Sequence, residues 1–104
     1  MLPNDTLAAS FCALSHKRRV LLFRLLADAP ENGLSFSVLQ ARTRFCDGVL
    51  SHHLRQMVRY GLVLRRPAGA EVMLSLTPDA LTLALADTHA TCRNRGSAPG
   101  RRAA

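Results

Sequence analysis

Apolar positions return every three or four residues along most of this chain, and the rhythm is clearest between Cys46 and Val63. On a helical wheel Leu50, Leu54, Met57 and Val58 fall on one side, while Gly48, His52, Arg55 and Arg59 fall on the other. The stretch predicts an amphipathic helix of about 15 residues that packs with one face and offers a basic, polar face outward. Gly61 then ends it as a left-handed cap, a conformation easiest for a residue without Cβ. Beyond it the period changes from helical to alternating: residues 62–66 and 71–76 read as two strands, and Pro67-Ala68-Gly69 punctuates them.

The remaining segments keep the helical rhythm. Thr6 is placed to cap a first helix reaching about residue 14, with Leu7, Phe11 and Leu14 at i, i+4, i+7. Ser15 is expected to cap a second over residues 16–29, whose Val20, Leu22, Phe23, Leu25 and Leu26 make a wide apolar face between Arg19 and Arg24. Ser35 opens a short third helix, 36–43, with Val38 and Leu39 inward and Gln40 and Arg42 outward. The third helix, the turn from Arg42 to Phe45 and the amphipathic helix form a helix-turn-helix, whose second member presents its N-terminal half to the edges of bases. Thr77-Pro78-Asp79 combines a capping oxygen, a first-turn proline and an acid at the positive helix end, so a fifth helix is expected over 78–92. Its Leu81, Leu83, Ala84, Leu85 and Thr88 exceed what one small domain can cover, which assigns the first and fifth helices to a dimer interface. The expected fold is mainly α: a winged helix-turn-helix of five helices and a two-stranded β-wing over residues 6–92, followed by a disordered basic tail, 93–104.

Charge sharpens this picture. Fourteen basic residues stand against seven acidic ones, a formal net charge of +7. Between residues 32 and 70 lie Arg42, Arg44, Arg55, Arg59, Arg65 and Arg66, with Asp47 and no other carboxylate before Glu71, so the expected partner is a polyanion, double-stranded DNA. Arg42 and Arg44 in the turn and Arg65 and Arg66 at the wing base are placed for phosphates or the minor groove. Gly48, Val49, Ser51, His52 and Arg55 are placed for base edges. Asp47 is the oddity, an acid that suits the helix N-terminus or a cytosine amino group. His53 lies about 60° from the packed face and reads as a hydrogen-bonded structural residue, as does His16 near a cap. No run approaches the roughly 18 apolar residues that span a bilayer, and no secretory leader is recognisable, so the expectation is a soluble cytoplasmic protein without a membrane partner. A glycine-rich phosphate loop and an activated nucleophile pair are both missing, so no enzyme is expected and no cofactor is required for DNA binding.

Four pieces in order resemble the ArsR/SmtB family of bacterial winged-helix repressors, over residues 11–91. They are Ala13-Leu-Ser-His16 with Arg19 and Leu22-Phe-Arg-Leu-Leu-Ala27, Leu50-Ser-His-His-Leu54 with Tyr60-Gly-Leu-Val63, Val72 to Leu76, and Thr77-Pro78. The resemblance implies a homodimer that binds an operator and releases it when an inducer binds. Two departures stand out. The Cys-x-Cys element that many arsenic and lead sensors carry at the third helix is replaced by Leu34-Ser-Phe-Ser37, and Asp87-Thr-His89 matches only the first half of the zinc-sensor pattern.

The inducer is left unknown. Cys12, Cys46 and Cys92 form no C-x-x-C motif and are expected as reduced thiols. Cys12 and Cys92 fall on helices assigned to one interface and are expected near each other, where they could oxidise or hold a soft metal or metalloid. Cys46, at the N-terminus of the basic helix, is expected to be reactive. His89 and Cys92, at i and i+3, are weak metal candidates. Ordinary buried cysteines explain the same pattern. Two other functions fit: a winged-helix protein-interaction module of antitoxin or anti-activator type without specific operator binding, and a small thiol or metal carrier.

Overall fold

A computed structural model describes residues 1–96. Five helices, α1 (Asn4–Cys12), α2 (Lys17–Ala27), α3 (Phe36–Thr43), α4 (Asp47–Arg59) and α5 (Asp79–Gly96), surround a small sheet of β1 (Leu34–Ser35), β2 (Val63–Ala68) and β3 (Glu71–Leu76). The five helices and the hairpin are those expected from the sequence. A third strand is added, because β1 pairs antiparallel with β3 to give the order β1-β3-β2. Only two residues long, it carries no alternation that a sequence could display.

Several helix ends differ from expectation, each for a local reason. Helix α1 starts after Pro3, whose fixed φ suits a helix entry, so Thr6 lies inside the helix. Its buried positions are Ser10 in the helix and Ala13 just beyond, while Phe11 is exposed. Helix α2 is capped by His16 rather than Ser15: the imidazole Nδ1 accepts from the Arg18 amide at 3.0 Å. Ser35 caps α3 as predicted, accepting from the Val38 amide at 3.1 Å. Thr77 is diverted, since its hydroxyl donates to the Gly61 carbonyl at 3.0 Å and its amide to Leu62 at 2.8 Å, and α5 begins at Asp79. Helix α5 runs on to Gly96, so the first four residues of the expected tail are helical; the rest of that tail lies outside the described residues.

One contiguous core joins all the layers: Leu22 and Leu26 of α2, Leu39 of α3, Leu50, Leu54 and Met57 of α4, Leu62, Val63, Leu74, and Leu81 of α5. Burying each such leucine contributes roughly 1.5–3 kcal/mol. The tightest approach is at Gly33, which turns the chain into β1 with φ +87 against the β3 backbone. A Cβ there would sit 1.9 Å from the Leu74 carbonyl oxygen.

Gly33→Ala should therefore cost at least about 2 kcal/mol, about 1 from the left-handed backbone and the remainder from pushing β3 aside. Gly69 also has positive φ (65), but its Cβ would meet open space, so Gly69→Ala should cost only about 1 kcal/mol. Equal urea midpoints for the two variants would contradict this account of the β1–β3 contact.

Candidate nucleic-acid interface

Helix α4 is seated by a strip of buried side chains, Leu50, His53, Leu54 and Met57. Its outer face is thereby fixed: Gly48, His52, Arg55 and Arg59 are exposed and Val49 and Ser51 half-buried. Val58, expected to pack, is 37% exposed. The helix ends in a Schellman motif, the Leu62 amide donating to Met57 at 2.9 Å and the Gly61 amide to Val58 at 3.1 Å, with Gly61 at φ 81. That hydrogen-bonded stop sets the angle at which β2 leaves α4.

The turn before α4 is equally well held. Arg44 adopts φ 61, a conformation that costs a non-glycine residue roughly 1–2 kcal/mol, and its amide donates to Gln40 at 2.8 Å. Thr43 bridges the turn, donating to Leu39 and accepting from the Phe45 amide. Gln40, expected to face solvent, is half-buried and donates to both the Phe45 carbonyl and Asp47 Oδ1. Asp47 is thus explained as the acceptor that ties the start of α4 to α3, beside the positive helix end. Of the α3 side chains, Leu39 is buried as expected but Val38 is 37% exposed.

Six expected arginines remain exposed, but they do not form one surface. Arg42 and Arg44 lie at the turn. Arg65 stands opposite Leu74 in the hairpin and shares its face, lining a hollow with Arg55. Arg66 stands opposite Met73 and faces the other way, into a surface recess with Glu31 and Asn32. Strand alternation separates these neighbours, which the sequence reading had grouped. Arg59 lies over the Tyr60 ring at 5.7 Å and borders α1, away from the start of α4.

The structure also adds cations that the sequence reading passed over. Lys17-Arg18-Arg19 forms the first turn of α2, where positive charge opposes the helix dipole. Arg18 and Arg19 line a recess with His16, Gly48, Val49, His52 and His53, and Arg18 lies 5.7 Å over the Phe45 ring. The available signal was that unfavourable run of three cations at a helix start, a local violation of the kind concentrated at working surfaces. Its neighbour in space is set by tertiary packing, which no local pattern reports.

The thiols stand apart. Cys46 is the N-cap residue of α4 and is exposed, as is Cys92. Cys12 is half-buried, and its thiol is held below its ordinary value chiefly by a hydrogen bond with Tyr60, with Ser15 and Arg19 adding in the same direction against the effect of burial. Cys12 and Cys92 are not neighbours within one chain. Ser10 contacts the Ala80 carbonyl at 3.5 Å, and Cys92 lies about 18 Å further along α5 at 1.5 Å per residue. A disulfide requires Cα atoms within about 7 Å. Among the described residues no three His, Cys, Asp or Glu side chains are placed to hold one metal ion, and His89 and Cys92 are both exposed. No helix among them is long and apolar enough to cross a membrane.

A hairpin packed beside a helix-turn-helix defines the winged-helix class. Among solved structures the chain is similar to an ArsR-like transcriptional regulator from Rhodococcus sp. RHA1, with TM-score 0.77 and 25% identity over 95% of this chain and 93% of that one. HlyU from Vibrio cholerae N16961 is similar with TM-score 0.62 and 27% identity, over 88% and 99% of the two chains. The homodimeric winged helix-turn-helix DNA-binding domain of Mb0332 from Mycobacterium bovis matches with TM-score 0.66 at 22% identity, over 84% and 79%. No protein-family profile and no curated protein sequence matches the chain. The chain has the architecture of the ArsR-type winged-helix transcriptional regulators, in agreement with the resemblance read from its sequence.

Behind the exposed face lies a buried polar brace. His53 is only 4% exposed, and its Nδ1 accepts from Arg19 Nε at 3.3 Å, while Arg19 Nη1 donates to the Cys12 carbonyl at 2.8 Å. The His16 ring lies 4.6 Å from it and the His52 ring 5.2 Å. Burial, then the charges of His16, Arg19, His52 and Arg18, lower the His53 pKa to about 4. The unfolded chain binds this proton from about pH 6.5 downward while the folded one resists, so stability is full above pH 6.5 and is lost as pH falls toward 4. Urea unfolding at pH 7.5 and pH 5 should show a loss of about 1–2 kcal/mol from this group. His53→Gln should flatten that slope, and an unchanged slope in the variant would assign the acid sensitivity elsewhere.

Proposed function

We propose that this chain is a homodimeric, sequence-specific DNA-binding repressor that inserts the N-terminal half of α4 into the major groove. The observation that carries the reading is the outer face of α4, with Gly48, Val49, Ser51, His52 and Arg55 turned away from a fully packed strip and flanked by cations of α2, the turn and the wing. Arg55 and Ser51 suit base edges. Arg18, Arg42, Arg44 and Arg65 suit phosphates, whereas the outlook of Arg66 and Arg59 gives them a lesser part. The described homodimeric DNA-binding domain from Mycobacterium bovis supports a twofold assembly that presents two such helices about one duplex turn apart. A surface of this kind needs no cofactor to bind DNA. Release by an inducer follows from the family resemblance. The separation of Cys12 from Cys92 within a chain weighs against an intramolecular thiol bridge as the trigger.

Selection of bound sequences from a random DNA pool should recover one palindrome, preferred over bulk DNA by ~10³ or more. On that site Arg55→Ala should lose about 1–3 kcal/mol and tolerate more bases, while Arg18→Ala should weaken all sequences alike and flatten the salt dependence by about one. Weak, sequence-blind binding by the wild type would instead favour a protein-interaction module of the same fold.

The dimer interface is assigned to α1 and α5. Leu83 and Leu85 are 60% and 54% exposed on α5, beside the buried Leu81 and Ala84, and Phe11 is exposed on α1. A Leu83→Glu/Leu85→Glu double variant should keep its helical circular dichroism but sediment as a monomer and lose operator affinity. An undisturbed dimer would place the interface on another face.

A further inference from the structure

A hollow of about 270 Å³ opens between α4 and the β2–β3 hairpin. Its walls are apolar: Phe36 of α3, Leu54 and Val58 of α4, and Val72 and Leu74 of β3. Its polar groups are Ser51, Arg55 and Arg65, and among the described residues no carboxylate lines it. This convergence is built by two periodicities. Ser51, Leu54, Arg55 and Val58 follow at i, i+3, i+4 and i+7 on one stripe of α4, and Arg65 shares the inner hairpin face with Leu74, its partner across the strands.

From this arrangement we infer a binding site for a small organic acid, a monocarboxylate with a short acyl chain or a single aromatic ring. The two guanidinium groups donate charge-assisted hydrogen bonds to the carboxylate, and the apolar walls take the body. Both parts are needed to account for the hollow. A free inorganic anion or a DNA phosphate would set a strongly hydrated group against the apolar walls, and a neutral hydrocarbon would make no use of the two arginines at the rim. The volume lies just under the ~300 Å³ at which small-ligand sites begin, which limits the body to one ring or a few methylenes. The half-open apolar surface of Val58, 37% exposed near the C-terminal end of α4, becomes a contact surface.

The site stands on this geometry alone, but its consequence rests on the proposed function. Ser51 and Arg55 serve both the hollow and the groove-facing surface, so an acid seated there and an operator exclude each other. Operator affinity then falls by the factor one plus ligand concentration over its dissociation constant.

The test is a methyl-detected NMR titration of the full chain with hexanoate and phenylacetate, matched against hexanol and 2-phenylethanol. The acids should shift Leu54, Val58, Val72 and Leu74 saturably below about 10 mM, and the alcohols should bind at least tenfold more weakly. Arg65→Gln, at an exposed position, should weaken the acids about tenfold, and Val72→Phe should fill the hollow and abolish the shifts. No saturable shift of those methyls in the wild type, equal binding of acids and alcohols, or binding indifferent to Arg65→Gln would overturn the site. Acid binding at these methyls that leaves operator affinity unchanged would uphold the site and overturn the assignment of α4 to the groove.

Discussion

The exposed basic face of α4 depends on how that helix is rolled about its own axis, and the roll is set by Leu50, Leu54 and Met57. The three are essentially inaccessible to solvent. A rotation of one residue, about 100°, would expose leucines and drive Arg55 or His52 toward the core. Burial of three such side chains, at roughly 1.5–3 kcal/mol each, exceeds any gain from surface charge, for which exposed pairs contribute about 0–1 kcal/mol. The core therefore fixes the roll, and the arginines follow. His53 refines the same seat, because a buried imidazole with Arg19 as donor fits only where Arg19 reaches both it and the C-terminal carbonyl of α1. One guanidinium thus joins α1, α2 and α4.

The hydrogen-bonded ends of α4 transmit that seat to its neighbours. At its start, Gln40 spans from α3 to Asp47, and at its end the Schellman bonds of Gly61 and Leu62 launch β2. Thr77 then donates to Gly61, so the entry of α5 is fastened to the exit of α4. Angle errors between the recognition surface, the wing and the last helix are limited by these few bonds. In the twofold assembly proposed above, with two half-sites to address at once, that stiffness matters more than the strength of any single contact.

The parts legible in sequence were those carried by strong local signals. Ser35 and Gly61 mark helix ends through capping chemistry that acts over two to four residues, and the period change after Gly61 announces the hairpin. What escaped was decided by tertiary packing. Strand β1 is too short to show a period, and it exists because Gly33, lacking a side chain, lets the chain lie against Leu74. Thr77 looked like a cap and became a tether because the Gly61 carbonyl was within reach. Within one chain Cys12 and Cys92 lie apart, since neighbouring helices need not bring two residues to the same level along their axes.

Arginine shows the same limit in the basic surface itself. Adjacent Arg65 and Arg66 read as one cluster along the chain, yet strand geometry sends them to opposite faces. Arg18 and Gly48 are thirty residues apart and read as unrelated, yet they line one recess. A count of cations therefore foretells a polyanion partner but not the surface it meets. Arg44 adds a further argument. A glycine would hold its left-handed turn without strain, so the backbone conformation there gives no reason for arginine. The strain of roughly 1–2 kcal/mol is small beside the core that holds the turn, and under the proposed function the cation kept at that cost is one that faces phosphate.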